Sequence, residues 1–203
     1  MNNISKYKKV GIRVASLYKE PSFKSELVTQ ALLSERLLVI DKKNDWYKVK
    51  QWDNYESWIH SFYLCSKQKN IHDKSIKCNP ENLLGTAKSF LNVPYLWGGK
   101  SKLGFDCSGL IQTVYKKLGV DLPRDSSGQI KSKNLIETKY SNIQIGDLLF
   151  FSKNAIINHV AIYFGNGQII HSSGNVKIEK LEKNIKLFDS LHKIFSVRDM
   201  VWD

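Results

Sequence analysis

The sequence predicts an α+β protein in two parts: a small all-β barrel over residues 1–65 and a mixed helix-and-sheet domain over residues 79–203, with a linker at 66–78. Three observations carry this reading. Five short strand candidates, separated by turn signals, crowd into residues 10–64, the spacing of a small barrel. The polar, lysine-rich stretch SKQKNIHDKSIK then interrupts the apolar patterning. Beyond it, helical patterns come first and strand patterns after, as expected of helices packed on an antiparallel sheet.

In the first part the strand candidates are Val10–Leu17, Leu27–Leu33, Leu37–Lys42, Trp46–Trp52 and Ser57–His60. Glu20-Pro21-Ser22, Asn44-Asp45 and Asp53-Asn54 supply the turns. In the second part Asn79-Pro80-Glu81 reads as an N-cap, a proline at the first helical position and a first-turn acid. Leu83, Leu84, Ala87, Phe90 and Leu91 form the stripe of that helix, which Pro94 ends. A second helix begins near Cys107, with Asp106 suited to its N-cap, Leu110, Ile111, Val114, Tyr115 and Leu118 on its apolar face, and Gly119 as its stop. A short helix is expected over Ser126–Lys131. Strands are expected at Asp147–Phe151, His159–Phe164, Gln168–Ser172 and Phe195–Arg198.

Composition narrows the function classes. A hydrophobic share of 42% supports a packed core. The net charge of +12 comes from lysines scattered along the chain, with no arginine stripe or nucleic-acid motif, so it reads as solvated surface. No apolar run is long enough to span a membrane, so no stable membrane insertion is expected. The start, MNNISKYKKVGIR, lacks the apolar core of an export signal, and a cytoplasmic location is the expectation. Three cysteines, an odd number, do not make a disulfide framework.

Chemistry concentrates at Cys107. In the first turn of a helix, free backbone N–H groups and the helix dipole favour a thiolate, so a lowered thiol pKa is expected. His159 and His171 lie on strands joined by Gly165-Asn166-Gly167. If all three residues form the loop, Ala161 faces His171 and both histidines project from one face; a two-residue loop would shift the register and separate them. On the first arrangement Cys107 attacks a carbonyl and His159 takes its proton and later protonates the leaving amine. His171 orients His159, and backbone N–H groups with the Tyr95 hydroxyl meet the oxyanion. Taken singly, each has a plainer reading, as a small buried cysteine or a structural histidine. Zinc lacks a fourth ligand at suitable spacing. No metal and no cofactor is expected. His60, His72 and His192 have no chemical context.

Taken together, Tyr95-Leu-Trp-Gly-Gly, Phe105-Asp-Cys-Ser-Gly-Leu, Leu122-Pro-Arg-Asp-Ser, Ile145-Gly-Asp-Leu, His159-Val-Ala-Ile-Tyr-Phe-Gly and Ile170-His171 resemble the NlpC/P60 cysteine peptidases, in that family's order. The resemblance implies a papain-like core and hydrolysis of γ-D-glutamyl–diamino acid bonds in cell-wall peptides. Ser25-Glu-Leu-Val-Thr-Gln, Trp46-Tyr-Lys-Val and Asp53-Asn-Tyr-Glu-Ser-Trp-Ile are similar to the bacterial SH3 domains joined to such peptidases, with Asn54 and Ser57 where glycines are usual. In two-domain members that module borders the cleft and helps recognise the substrate's free amino end.

The resemblance therefore implies a muropeptide partner, L-Ala-γ-D-Glu-diamino acid, whose terminal ammonium needs acceptors. Asp106, Asp125, Ser108 and Ser126 hold motif positions suited to it, Trp97 can wall the pocket, and Glu26 and Tyr55 are the candidates from the SH3 side. Capping is the plainer role for Asp106 and Asp125. The expected task is recycling of released peptides. The rival readings are an exported hydrolase of intact wall and a non-catalytic wall-binding module.

Overall fold

The computed structural model describes residues 7–65 and 78–198; His72 and the linker expected at 66–78, Cys78 excepted, lie outside them. The N-terminal sheet has seven antiparallel strands: β1 (Tyr7–Val10), β2 (Val14–Tyr18), β3 (Leu27–Leu32), β4 (Arg36–Lys43), β5 (Trp46–Lys50), β6 (Glu56–His60) and β7 (Leu64–Cys65), in the order β3-β2-β6-β5-β4-β1-β7. Alternate residues turn inward, and Val10, Ala15, Leu17, Ala31, Leu37, Val49 and Ile59 close a small core. The single strand expected at Val10–Leu17 is two. The chain breaks after Val10, where Gly11 N–H bonds Tyr63 O at 2.7 Å and ties the turn to the end of the barrel. Asn44 (φ 52°) and Asn54 (φ 65°) take the left-handed turn positions that asparagine tolerates.

The C-terminal part is a six-stranded sheet with helices against it. Its elements are α1 (Pro80–Lys88), the small ribbon β8 (Lys100–Ser101) and β9 (Gly104–Phe105), α2 (Cys107–Lys117), α3 (Ser126–Gln129), β10 (Leu135–Thr138), β11 (Leu148–Lys153), β12 (Ile156–Gly165), β13 (Gln168–Ser173), β14 (Asn175–Lys180), α4 (Ile185–Phe188) and β15 (Leu191–Val197). The sheet order is β10-β15-β11-β12-β13-β14. One face packs on α2, where Leu110, Ile111 and Val114 meet Leu148, Phe150, Val160, Ile162 and Ile170. The other buries Leu149, Phe151, Ala161 and Ile169 against Leu181 and Ile194. Burial on both faces explains why Leu148-Leu149-Phe150-Phe151 reads as a continuous apolar run.

The β12–β13 hairpin corrects the expected loop. Gly165 pairs with Gln168, so the turn has two residues, Asn166 (φ 53°) and Gly167 (φ 69°). A bulge between Tyr163 and Gly165 then absorbs one residue, giving Tyr163 opposite Ile169 and Ile162 opposite Ile170. Carried one step further, this register sets Ala161 opposite His171. The histidines share a face because of the bulge, not because of a longer loop.

Candidate active site

The start of α2 is fixed by Asp106. This residue sits in extended backbone (φ −86°, ψ 178°), and its Oδ1 accepts from Gly109 N at 2.6 Å. Gly109 is required by the approach of another segment: a Cβ there would lie 2.0 Å from Gly99 O. Cys107 is the first residue of the helix, and backbone N–H groups of Ser108 and Val160 reach its sulfur. The thiol is thereby seated beside the residue that follows His159.

The expected lowering of the thiol pKa does not hold. Burial pushes the Cys107 thiol up to about 11, the Asp106 carboxylate pushes the same way, and the backbone donors and Arg124 only partly offset them. Burial likewise pushes His159 down to about 3, with the His171 ring adding to the effect. The resting pair is a neutral thiol and a neutral imidazole.

His159 Nε2 and His171 Nδ1 are 2.8 Å apart, the rings nearly perpendicular at 79°. The Tyr95 phenol, raised to about 12 by burial first and then by the repulsion an ionised Cys107 exerts on a phenolate, stays a neutral donor beside the thiol.

Asp106 is held by a residue to which the motif analysis gave no role. Arg124 is fully buried and forks onto the carboxylate, Nη1 to Oδ1 at 3.1 Å and Nη2 to Oδ2 at 2.5 Å. Gly98 N and Ser108 Oγ add donors at 2.9 and 3.2 Å. Asp106 faces the cleft, yet its oxygens are saturated by protein donors. Its position gives it the capping role and leaves no spare acceptor for an ammonium.

The cleft has a volume of 530 Å³ and runs between the two parts of the chain. Glu26 and Tyr55, each just ahead of a strand, line it from the N-terminal part, and Tyr95, Trp97, Cys107, Ser108, Asp125 and Ser126 from the C-terminal part. Trp97 Nε1 donates to Glu26 Oε1 at 2.9 Å, and the Tyr55 hydroxyl bonds the Asp125 carboxylate. Burial raises the Asp125 carboxyl from its ordinary value, against the pull of Arg124. All seven residues named from sequence as substrate contacts therefore face one cavity, together with Cys107 and Tyr95.

The two parts are docked by polar contacts around this cleft. Gln30 Oε1 accepts from Lys100 N at 2.9 Å, Gln112 Nε2 donates to Asp53 Oδ2 at 2.7 Å, and Arg124 Nε donates to Thr29 Oγ1 at 3.2 Å. Lys116 Nζ stands 3.9 Å from the Trp52 ring centre. A Cβ on Gly98, which has φ +75°, would lie 2.5 Å from Leu27 O. These partners escaped the sequence reading because each is distant in the chain.

A thiol heading a helix laid on an antiparallel sheet, with paired imidazoles on β12 and β13, has the elements of a cysteine peptidase site. The chain belongs to the NlpC/P60 family, whose model matches residues 92–190, and residues 17–62 match the bacterial dipeptidyl-peptidase SH3 domain. It is 34% identical over 165 residues to a γ-D-glutamyl-L-lysine dipeptidyl-peptidase of Bacillus cereus, covering 78% of this chain and 47% of that protein. It is 31% identical to dipeptidyl-peptidase 6 of Lysinibacillus sphaericus over 92% of this chain and 66% of the relative. The crystal structure of an NlpC/P60 family protein from Bacillus cereus superimposes with a TM-score of 0.56 at 28% identity, covering 93% of this chain and 62% of the other. The chain thus spans about half to two thirds of the length of these relatives.

Proposed function

We propose that the protein is a cysteine peptidase that cleaves the γ-D-glutamyl–diamino acid bond of small cell-wall peptides carrying a free N-terminal L-Ala, releasing the L-Ala-D-Glu dipeptide. The observation that carries this reading is the cleft between the two parts, lined from the SH3 side by Glu26 and Tyr55, with the Glu26 and Asp125 carboxylates facing it. In this reading a cation there gains acceptors, and a glycan in the same place competes with the SH3 domain for room. The relatives' names point to the same bond.

In this reading Cys107 gives its proton to His159 as its sulfur attacks the γ-carbonyl of D-Glu. Because thiol and imidazole rest neutral, proton transfer accompanies attack rather than preceding it. Backbone N–H groups at the head of α2 and the Tyr95 hydroxyl stabilise the oxyanion. Collapse breaks the amide bond, and His159 returns the proton to the departing amine of the diamino acid. Water then hydrolyses the thioester, with His159 as base. Ser108 and Ser126 bind the peptide, and Trp97 walls it. A preference for released peptides fits a recycling role in the cytoplasm.

Digestion of L-Ala-γ-D-Glu-L-Lys, its diaminopimelate counterpart and intact peptidoglycan, with products weighed by mass spectrometry, tests this. Release of L-Ala-D-Glu from the free peptides, lost in Cys107→Ala, is expected. Turnover of intact wall alone would support an exported hydrolase, and binding without turnover a wall-binding module.

A further inference from the structure

The direction of hydrogen bonding through the imidazole pair is decided at its far end. His159 commits Nε2 to His171, so on the proposed mechanism Nδ1 is the nitrogen that must take the thiol proton. To accept a proton, Nδ1 must hold a lone pair, and the proton of the neutral ring then sits on Nε2. That N–H donates to His171 Nδ1, which must in turn be an acceptor. His171 therefore carries its own proton on Nε2. The reverse arrangement, with His171 donating from Nδ1, leaves His159 with its proton on Nδ1, unable to act there as a base.

What faces His171 Nε2 is the carboxylate of Glu179, with Oε1 at 3.1 Å. The approach is out of hydrogen-bond line as it stands, and no other group among the described residues bonds this buried nitrogen. The β13–β14 register sets His171 opposite Lys177 and Ile169 opposite Glu179, so His171, Lys177 and Glu179 share one face. The carboxylate is itself steadied: Asn184 Nδ2 donates to Oε1 at 2.9 Å, and Lys177 Nζ lies 3.3 Å from Oε2. An ionised carboxylate only accepts, so the matching state of His171 is Nε2–H.

We propose that Glu179 is a positioning residue of the peptidase: it holds the His171 proton on Nε2 and so keeps His159 in the tautomer that accepts the Cys107 proton. This rests on Cys107 and His159 being nucleophile and base. Among the described residues the groups facing His171 are His159, Lys177 and Glu179, and of these Glu179 can supply the acceptor.

Long-range 1H–15N NMR of the imidazoles in the full chain reads the tautomers directly, alongside kinetics on L-Ala-γ-D-Glu-L-Lys. Nε2–H on both His159 and His171 is expected in the unmutated protein. Glu179→Ala should lose that preference and lower kcat by about 10- to 100-fold with KM little changed, the scale for losing a partner that orients a functional imidazole. Glu179→Gln, whose amide oxygen still accepts, should fall between the two. Nδ1–H on His171 in the unmutated protein overturns the proposal without any variant. So does a Glu179→Ala protein with unchanged tautomers, whatever its kcat, or one with unchanged kcat. A peptide left uncleaved by the unmutated protein would sink the functional reading, while the tautomers would still decide this one.

Discussion

Asp106 caps α2, pairs with Arg124 and ties down the Gly98 backbone with one carboxylate. Removing one partner of such a buried pair leaves an uncompensated charge, so Arg124→Met should cost about 3–5 kcal/mol of stability by urea denaturation, and adding Asp106→Asn should recover part of it. A loss below about 1 kcal/mol, the value of an exposed pair, would show that the carboxylate finds other compensation. The histidines make a second prediction. Burial first, and the His171 ring second, hold His159 near 3 when folded, against 6.5 for the unperturbed group. Between those values the unfolded chain binds more protons, so stability is level above about pH 6.5 and falls as pH drops toward about 3. Each unit crossed costs about 1.4 kcal/mol for this group. His159→Gln should flatten the decline, measured as urea midpoints at about pH 7 and about pH 4. Parallel declines in the two proteins would assign the acid sensitivity elsewhere. The sequence showed which residue types were present and where a helix would start. Burial was not legible in it, and burial is what raises the thiol that the helix position alone would lower.

The β12–β13 hairpin separates what elements reveal in sequence from what they conceal. Gly-Asn-Gly announced a turn, and the shared face of the histidines was correctly expected, yet for a reason the structure replaces with a bulge. Turn type and bulge trade one residue against another, and only the three-dimensional pairing tells them apart. Strand β14 was missed because it is a short edge strand with only two apolar residues, Val176 and Ile178, among Asn175, Lys177, Glu179 and Lys180; Glu179 was hidden with it. Helix α2 and strands β11 to β13 were legible because apolar period and burial coincide there. The bulge ends at Gly165, whose φ is +91° and whose added Cβ would stand 3.2 Å from Ile145 Cγ1. Gly165→Val should therefore destabilise by about 1–3 kcal/mol, the cost of a side chain in a strained backbone region. If the strand escapes by sliding its register, His159 leaves the face of His171, and turnover should fall further than the stability loss explains. Thermal melts and kcat on the same sample check this; full activity with normal stability would mean that the bulge has another anchor.

At the scale of the molecule, the SH3 domain supplies one side of the cleft that Cys107 lines. The cleft is built from both domains: Trp97 bonds Glu26, Tyr55 bonds Asp125, and Arg124 reaches Thr29 from beneath. Distant partners such as these could not be paired from sequence, although Glu26, Tyr55 and Asp125 were each nameable from their motifs. Glu26, Glu56, Asp106 and Asp125 line the cleft together with Lys19, which lies 3.4 Å from Glu26 Oε2, so in a chain of net charge +12 the proposed cation must compete with Lys19 for Glu26 and finds Asp125 the freer carboxylate. On the proposed function a free L-Ala amine is that cation. An acetylated amine supplies none and adds bulk where Trp97 and the SH3 domain leave little room. N-acetylation should therefore lower kcat/KM by roughly 2–4 kcal/mol of transition-state binding, the range for leaving a desolvated charged partner unpaired. Glu26→Gln should lower activity on the free peptide and narrow its advantage over the acetylated one, because it keeps the Trp97 contact and removes only charge. Tyr55→Phe should narrow it less, acting through Asp125. Steady-state rates on the matched peptide pair measure both. Equal kcat/KM for free and acetylated peptide would remove this account of specificity and leave the chemistry at Cys107 untouched.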